Sequence, residues 1–260
     1  MIGQVLKDVR VLVCRPEPAA SELADVLKSV GASVQVLPTI EITPFELPPP
    51  SRNHILNLDQ YSHVVTVSPN AAQIALEHID SCWPQYPVQQ QWHAIGRKTA
   101  QILSNAGLSL ARPKGDMTSE ELLKLPDFAK VNGEKILVLK GKGGREMIVE
   151  TLTRRGAKVD TVELYLRQRP RYDEATLKEA LIEFCPHFIV ALSAETLENL
   201  ISLNLSIRAP IAQSALIVPS SRVMNIALEH GFKLIYIPNN LMPIDIIKAI
   251  RQANNEVRAF

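Results

Sequence analysis

The 260-residue chain is poor in several things at once. Aromatic residues make up only 5% of it, and its three cysteines, Cys14, Cys82 and Cys185, stand far apart without a Cys-x-x-Cys pair. That pattern provides neither a disulfide framework nor a structural zinc site and reads as buried thiols of a reducing compartment. Charge of either sign is not in surplus: 28 Lys+Arg against 27 Asp+Glu leave +1, so no global field draws the chain to nucleic acid or an anionic membrane. No apolar run reaches the roughly 18 residues of a membrane span. The first ten residues carry Lys7, Asp8 and Arg10 where a signal peptide needs an apolar core. A soluble cytoplasmic protein is therefore expected, with no membrane and no nucleic-acid partner.

Nucleotide fingerprints are missing as well. The run Lys140-Gly-Lys-Gly-Gly-Arg-Glu146 has Glu146 where a dinucleotide-binding loop needs its third glycine, and no Gly-Lys-Ser/Thr closes a P-loop. A nucleotide-dependent oxidoreductase is disfavoured on that ground. No Ser-His-Asp or Cys-His set is legible, and the six histidines lack ligand spacing, so no metal site is expected.

What the chain has is a rhythm. With 46% apolar residues and a length of about two ordinary domains, it can bury two cores. Short apolar runs alternate with segments of helical spacing. Strands are predicted at 9–13, 34–37, 63–67, 92–95, 136–139, 188–192, 215–218 and 233–237. Helices are predicted at 70–79, 98–106, 145–154, 195–203, 222–230 and 243–252, and an earlier one carries Leu23, Val26, Leu27 and Val30 on one face before Gly31 stops it. Such alternation implies α/β domains with parallel sheets flanked by helices.

The rhythm repeats. Val11-Leu-Val-Cys-Arg-Pro16 and Gly31-Ala-Ser-Val34 correspond to Ile136-Leu-Val-Leu-Lys-Gly141 and Gly156-Ala-Lys-Val159, an offset of 125 residues. Val64-Val-Thr-Val-Ser68 corresponds to Ile189-Val-Ala-Leu-Ser193 at the same offset, and the helix stop Gly107 pairs with Gly231 at 124. Two similar domains follow. Proline-rich tracts at Pro38–Pro50 and Arg169-Pro170 interrupt the pattern; if these are crossings between domains, the first β-α-β unit joins the C-terminal part and the two crossings make a hinge with a cleft.

Several motifs occur in order: Arg15-Pro16 after a strand, Gly31-Ala-x-Val with Pro38-x-Ile40, Val67-Ser-Pro-Asn-Ala71, Ala94-Ile-Gly-Arg-Lys-Thr-Ala100, Lys140–Glu146, and Arg155-Gly-Ala-x-Val159 with Tyr165. As a set, spanning about residues 9 to 250, they resemble the uroporphyrinogen-III synthase family. The resemblance implies two α/β domains joined by a two-stranded linker, the first domain discontinuous. Applied here it gives domain 1 at 1–38 and 172–260, domain 2 at 54–163, and linkers at 39–53 and 164–171. It also implies a cofactor-free cyclising lyase whose substrate, hydroxymethylbilane, carries eight carboxylates on four pyrroles. A hinged binding protein without chemistry stays open as the alternative, since fold does not fix function. A monomer is expected, because no exposed heptad or interface patch is visible.

A polycarboxylate calls for donors held in place, and helix N-termini after parallel strands supply them. The candidate binding residues are accordingly Ser68 and Asn70; Gly96, Arg97, Lys98 and Thr99; Lys140, Gly141, Lys142, Gly143 and Arg145; Ser193; Ser220, Ser221 and Arg222; and Arg15. Thr99 and its neighbouring amides are the strongest, because the resemblance places a recurring threonine there. The glycines of the 140–146 run would permit close backbone approach. Tyr165 occupies the place of a family tyrosine implicated in hydroxyl departure, where a phenol can donate a hydrogen bond without ionising; it is the catalytic candidate.

Overall fold

A computed structural model describes residues 4–110, 117–144 and 146–258. Along the chain run β1 (Arg10–Val13), α1 (Ala19–Ser29), β2 (Ser33–Val36), β3 (Glu41–Pro44), α2 (Pro49–Leu56), β4 (His63–Thr66) and α3 (Pro69–Asp80). Then come β5 (Gln91–Ala94), α4 (Arg97–Asn105), α5 (Ser119–Leu122), β6 (Lys135–Lys140), α6 (Met147–Arg154), β7 (Lys158–Glu163) and β8 (Tyr165–Gln168). The last part holds α7 (Glu174–Lys178), β9 (Phe188–Val190), α8 (Ala194–Asn204), β10 (Ala215–Ile217), α9 (Ser221–Glu229), β11 (Ile235–Tyr236) and α10 (Pro243–Arg258).

The chain gathers into two compact units: unit 1 is Met1–Glu41 with Gln168–Phe260, and unit 2 is Ile42–Arg167. Unit 1 holds a parallel sheet ordered β11-β10-β9-β1-β2, and unit 2 one ordered β5-β4-β6-β7. The duplication is visible strand by strand. Val11 faces Val34 as Ile136 faces Val159, and Val11 faces Phe188 as Ile136 faces His63. Phe188 faces Ala215 as His63 faces Gln91. Each of these partners is displaced by 125 residues, or 124 for the last, so β10-β9-β1-β2 repeats β5-β4-β6-β7 in order and register. Unit 1 adds β11 at its edge. It also builds the copy in permuted chain order, because its equivalents of β6 and β7 come first, as β1 and β2.

Both faces of each sheet are covered, which is why the strands read as continuous apolar runs rather than alternating ones. In unit 2, Val64, Leu137 and Leu139 face α3 and α4 through Ala71, Ala75 and Leu103. Val65, Ile136 and Val138 on the other face meet Leu122, Ile148 and Leu152 of α5 and α6. In unit 1, Val11 and Val13 pack with Leu23 and Leu27 of α1 and Ile246 and Ile250 of α10, and Leu12 and Ile189 pack with Leu197, Leu200 and Val223. Gly31 ends α1 with φ +97, a backbone angle at which other residues are strained.

Several elements differ from the sequence expectations. Residues 49–53, read as linker, begin α2; Pro49 and Pro50 are its first residues, where a missing N–H costs nothing, and Ile55 is buried in the unit 2 core. β3 and β8 form a separate two-stranded sheet. They run antiparallel: the Phe45 amide donates to Leu164 O at one end and the Gln168 side chain reaches Glu41 at the other. The edge strand predicted at 233–237 pairs only over Ile235–Tyr236, and the helix predicted from 145 starts at Met147. Among the described residues no helix is long and apolar enough to cross a membrane, and no group of three or more His, Cys, Asp or Glu is arranged for a metal.

Candidate active site

Parallel strands deliver their C-terminal ends to one edge of a sheet, and in unit 2 every turn there carries candidate residues. After β4, Ser68 is the N-cap of α3: its Oγ accepts the Ala71 N–H at 3.1 Å. Pro69 has no N–H, so of the first-turn donors only the Asn70 amide is left to a ligand. The cap hydroxyl has a second partner, Tyr165 Oη, 2.9 Å away.

After β5 the situation is reversed. Gly96 caps α4 with φ +81 and ψ 152, an angle that demands glycine although nothing lies within 4 Å of where a Cβ would be. Having no side chain, it makes no cap bond, so the first-turn amides of α4 receive none from it. Arg97 and Lys98 are exposed there, while Thr99 is fully buried and its Oγ1 has no hydrogen-bond partner among the described residues. Buried hydroxyls are ordinarily satisfied. Thr66 at the end of β4 carries a second such orphan, which nothing in the sequence pattern flagged. A cavity of about 440 Å³ opens along this turn, lined by Gly96, Arg97, Ala100, Ser104, Leu108 and Met117 among others.

After β6 the glycine-rich turn is shaped by conformation and by Tyr165. Gly143 and Gly144 have φ +72 and +90. Lys140 is buried and ion-paired with Glu146, so the charge expected to meet a ligand carboxylate is held by the chain's own acid; an acid six residues on was the available signal. Lys142 is exposed, with its Nζ 6.0 Å from the centre of the Phe45 ring. Arg145 lies outside the described residues. Gly141 is the close-approach glycine, but what approaches is Tyr165: a Cβ there would lie 2.5 Å from Cζ and 3.0 Å from Oη.

Tyr165 opens β8 and is 5% exposed. It is held from three sides. The Lys142 N–H donates to its carbonyl at 2.7 Å, its ring rests on Gly141, and its hydroxyl meets Ser68. The neighbouring Leu164 N–H donates to Lys140 O at 2.8 Å, stitching the two turns together.

Unit 1 repeats the pattern. Ser193 caps α8 with φ −159 and ψ 160, the same angles as Ser68, and accepts the Thr196 N–H at 3.0 Å. In place of a tyrosine its second partner is Thr196 Oγ1, at 2.7 Å. Ser220 caps α9 with φ −165 and ψ 163 but makes no side-chain cap bond; Ser221 and Arg222 follow, exposed. Arg15 is half-buried after β1, and burial lowers its pKa against the opposing pull of Glu22.

Fold and turns together define a class: a duplicated and permuted α/β protein in which helix N-termini follow the C-terminal ends of parallel strands. Comparison with known proteins makes it specific. Residues 21–247 match the family described as uroporphyrinogen-III synthase HemD. The chain is 32% identical over 249 residues to the uroporphyrinogen-III synthase of Escherichia coli K12, covering 93% of this chain and 99% of that one. It is 30% identical over 244 residues to the Salmonella typhimurium enzyme of the same name, again covering 93% and 99%. Among solved structures, a mutant uroporphyrinogen III synthase of the extreme thermophile Thermus thermophilus shares the fold with a TM-score of 0.62 at 18% identity, over 95% of this chain and 99% of that one. The chain belongs to the uroporphyrinogen-III synthase family.

Proposed function

We propose that this chain closes hydroxymethylbilane to uroporphyrinogen III through donors presented at the C-terminal strand ends described above, as a monomer in the cytoplasm and without a cofactor. The reaction loses water: the C–O bond of the hydroxymethyl group breaks, its electron pair leaves with oxygen, a proton joins that oxygen, and the pyrrole N–H gives up one to leave an azafulvene. Attack by the substituted carbon of ring D gives a spiro intermediate, which fragments and recloses with that ring inverted. Water alone closes the ring without inversion, and each tenfold of preference needs about 1.4 kcal/mol between competing transition states. Positioning supplies energies of that size.

In this reading the uncapped start of α4 with Thr99 is the main carboxylate site, aided by Arg97 and Lys98, the Asn70 amide and the 141–143 turn. Ser193, Ser220, Ser221, Arg222 and Arg15 are the corresponding carboxylate donors of unit 1. Lys140 is left out because Glu146 neutralises it. Tyr165 donates to the departing oxygen. The observation that carries the assignment is the 2.9 Å contact between Ser68 Oγ and Tyr165 Oη, which fixes a phenol beside a helix start at the strand ends. Incubation with enzymatically generated hydroxymethylbilane, followed by oxidation and chromatography, tests it: type III product above a no-protein control is expected. Type I alone would reject it.

A further inference from the structure

Ser68 is a better cap than a ligand. Its Oγ already accepts the Ala71 N–H at 3.1 Å and lies 2.9 Å from Tyr165 Oη. A serine hydroxyl has one hydrogen to give, and among the described residues Tyr165 Oη is its one hydrogen-bond partner other than that amide. The two hydroxyls can share their hydrogens in two ways. If the phenol donates to Ser68, it has nothing left for a ligand. If Ser68 donates to the phenol oxygen, the phenolic hydrogen is directed elsewhere. We propose that Ser68 is a positioning residue: it donates to Tyr165 Oη, and so leaves the phenolic hydrogen for the departing hydroxyl of the substrate.

Two further features support that direction. The helix amide takes one of the two acceptor lobes of Ser68 Oγ and uses none of its hydrogen, which stays available to point at the phenol oxygen. The ring is also fixed: Gly141 leaves it no more room than a glycine gives, and the Lys142 amide holds the Tyr165 carbonyl at 2.7 Å. The phenol oxygen therefore cannot swing away from Ser68 to find another donor. In unit 1 the same cap geometry at Ser193 is spent on Thr196 Oγ1, so the arrangement belongs to unit 2 alone among the described turns.

The inference rests on the reading of Tyr165 as the donor, and a double-mutant cycle separates the two. Single-turnover rates and KM would be measured for Ser68→Ala, Ser68→Thr and Ser68→Asp, each with tyrosine and in the Tyr165→Phe background. Ser68→Ala is expected to slow turnover about tenfold with little change in KM, the scale of one directed hydrogen bond. Ser68→Thr should recover most of that loss, since it keeps both cap and hydroxyl. Ser68→Asp keeps the cap acceptor even if Ser68→Ala folds poorly, but it has no hydrogen to give and pulls the phenolic one toward itself; it should be slow as well. In the Tyr165→Phe background all three substitutions should change turnover less than twofold. Equal losses in both backgrounds would overturn the role of Ser68 while leaving Tyr165 in place. Unchanged turnover in Tyr165→Phe alone would overturn the reading beneath it.

Discussion

Thr99 is the residue at which folding and function pull apart most clearly. A fully buried hydroxyl without a partner costs stability, so its removal should not harm the fold. Thr99→Val, nearly the same shape, is expected to leave the melting temperature equal or higher while weakening product binding by about 1–2 kcal/mol, the worth of one hydrogen bond to a charged group. Differential scanning fluorimetry and calorimetric titration with product read the two effects, and a destabilised variant with unchanged affinity would contradict the assignment. Gly141 is the opposite case. Gly141→Ala puts a methyl 2.5 Å from the Tyr165 ring, against a turn tied on both sides by backbone hydrogen bonds, so the ring must shift. Turnover should fall by at least tenfold with a drop in melting temperature of a few degrees, the usual effect of overpacking by about 1–3 kcal/mol. From the sequence, the close approach at this glycine was legible and its partner was not, because a tyrosine 24 positions away meets it only once β6, β7 and β8 are in register.

Among the elements, the strand ends opposite the candidate site carry a second polar chain. Glu134 accepts from His63 Nε2 at 2.9 Å, and His63 Nδ1 lies 3.1 Å from His93 Nε2. With both rings neutral, Glu134 fixes His63 as the Nε2–H tautomer, His93 Nε2–H donates to it, and His93 Nδ1 remains a buried lone pair beside Phe128. Burial, and then the neighbouring His63, lower the His93 pKa to about 4 against the opposing effect of Asp127. The unfolded chain binds this proton near pH 6.5 and the native chain does not, so the contribution is whole above pH 6.5 and is lost as pH falls toward 4. Urea denaturation at pH 7 and pH 5 should show a loss on the order of 1–2 kcal/mol from this group. The loss should shrink in His93→Gln, which cannot titrate; an identical pH dependence in the variant would refute the account.

Strands and helices with strong apolar periodicity were legible as elements because both faces of each sheet are buried, which leaves long apolar runs. What escaped was what packing or tertiary pairing decides. β3 and β8 are four residues each, with every position but Tyr165 half-exposed or exposed, and Pro44 sits at the end of β3, so neither carries a strand pattern of its own. α2 hid behind Pro48-Pro-Pro50, where punctuation that looks like a linker is also a helix start. At the site, the positions of the turns followed from strand-then-helix order. The internal ion pair of Lys140 and the orphan hydroxyl of Thr66 depended on geometry no spacing rule contains.

For the molecule as a whole, a net charge of +1 means that affinity for a polyanion must come from local contacts multiplied together rather than from a long-range field. Uroporphyrinogen III, with eight carboxylates, should therefore raise the melting temperature far more than a macrocycle bearing four. At a hundredfold excess over Kd the stabilisation is about 2.7 kcal/mol, or several degrees for a chain of this size. Equal shifts with the two ligands would show that ring surface, not carboxylate count, dominates recognition.

Three turns in this chain, at Ser68, Ser193 and Ser220, share nearly one backbone shape, while Gly96 takes another that leaves its helix without a side-chain stopper. A crystal of this protein soaked in selenate or bromide would thus be a map of which sockets stand open. Anomalous peaks should be strongest at the start of α4 and at α9, whose serine makes no cap bond, and weaker at α3 and α8, whose serines already take one first-turn amide each.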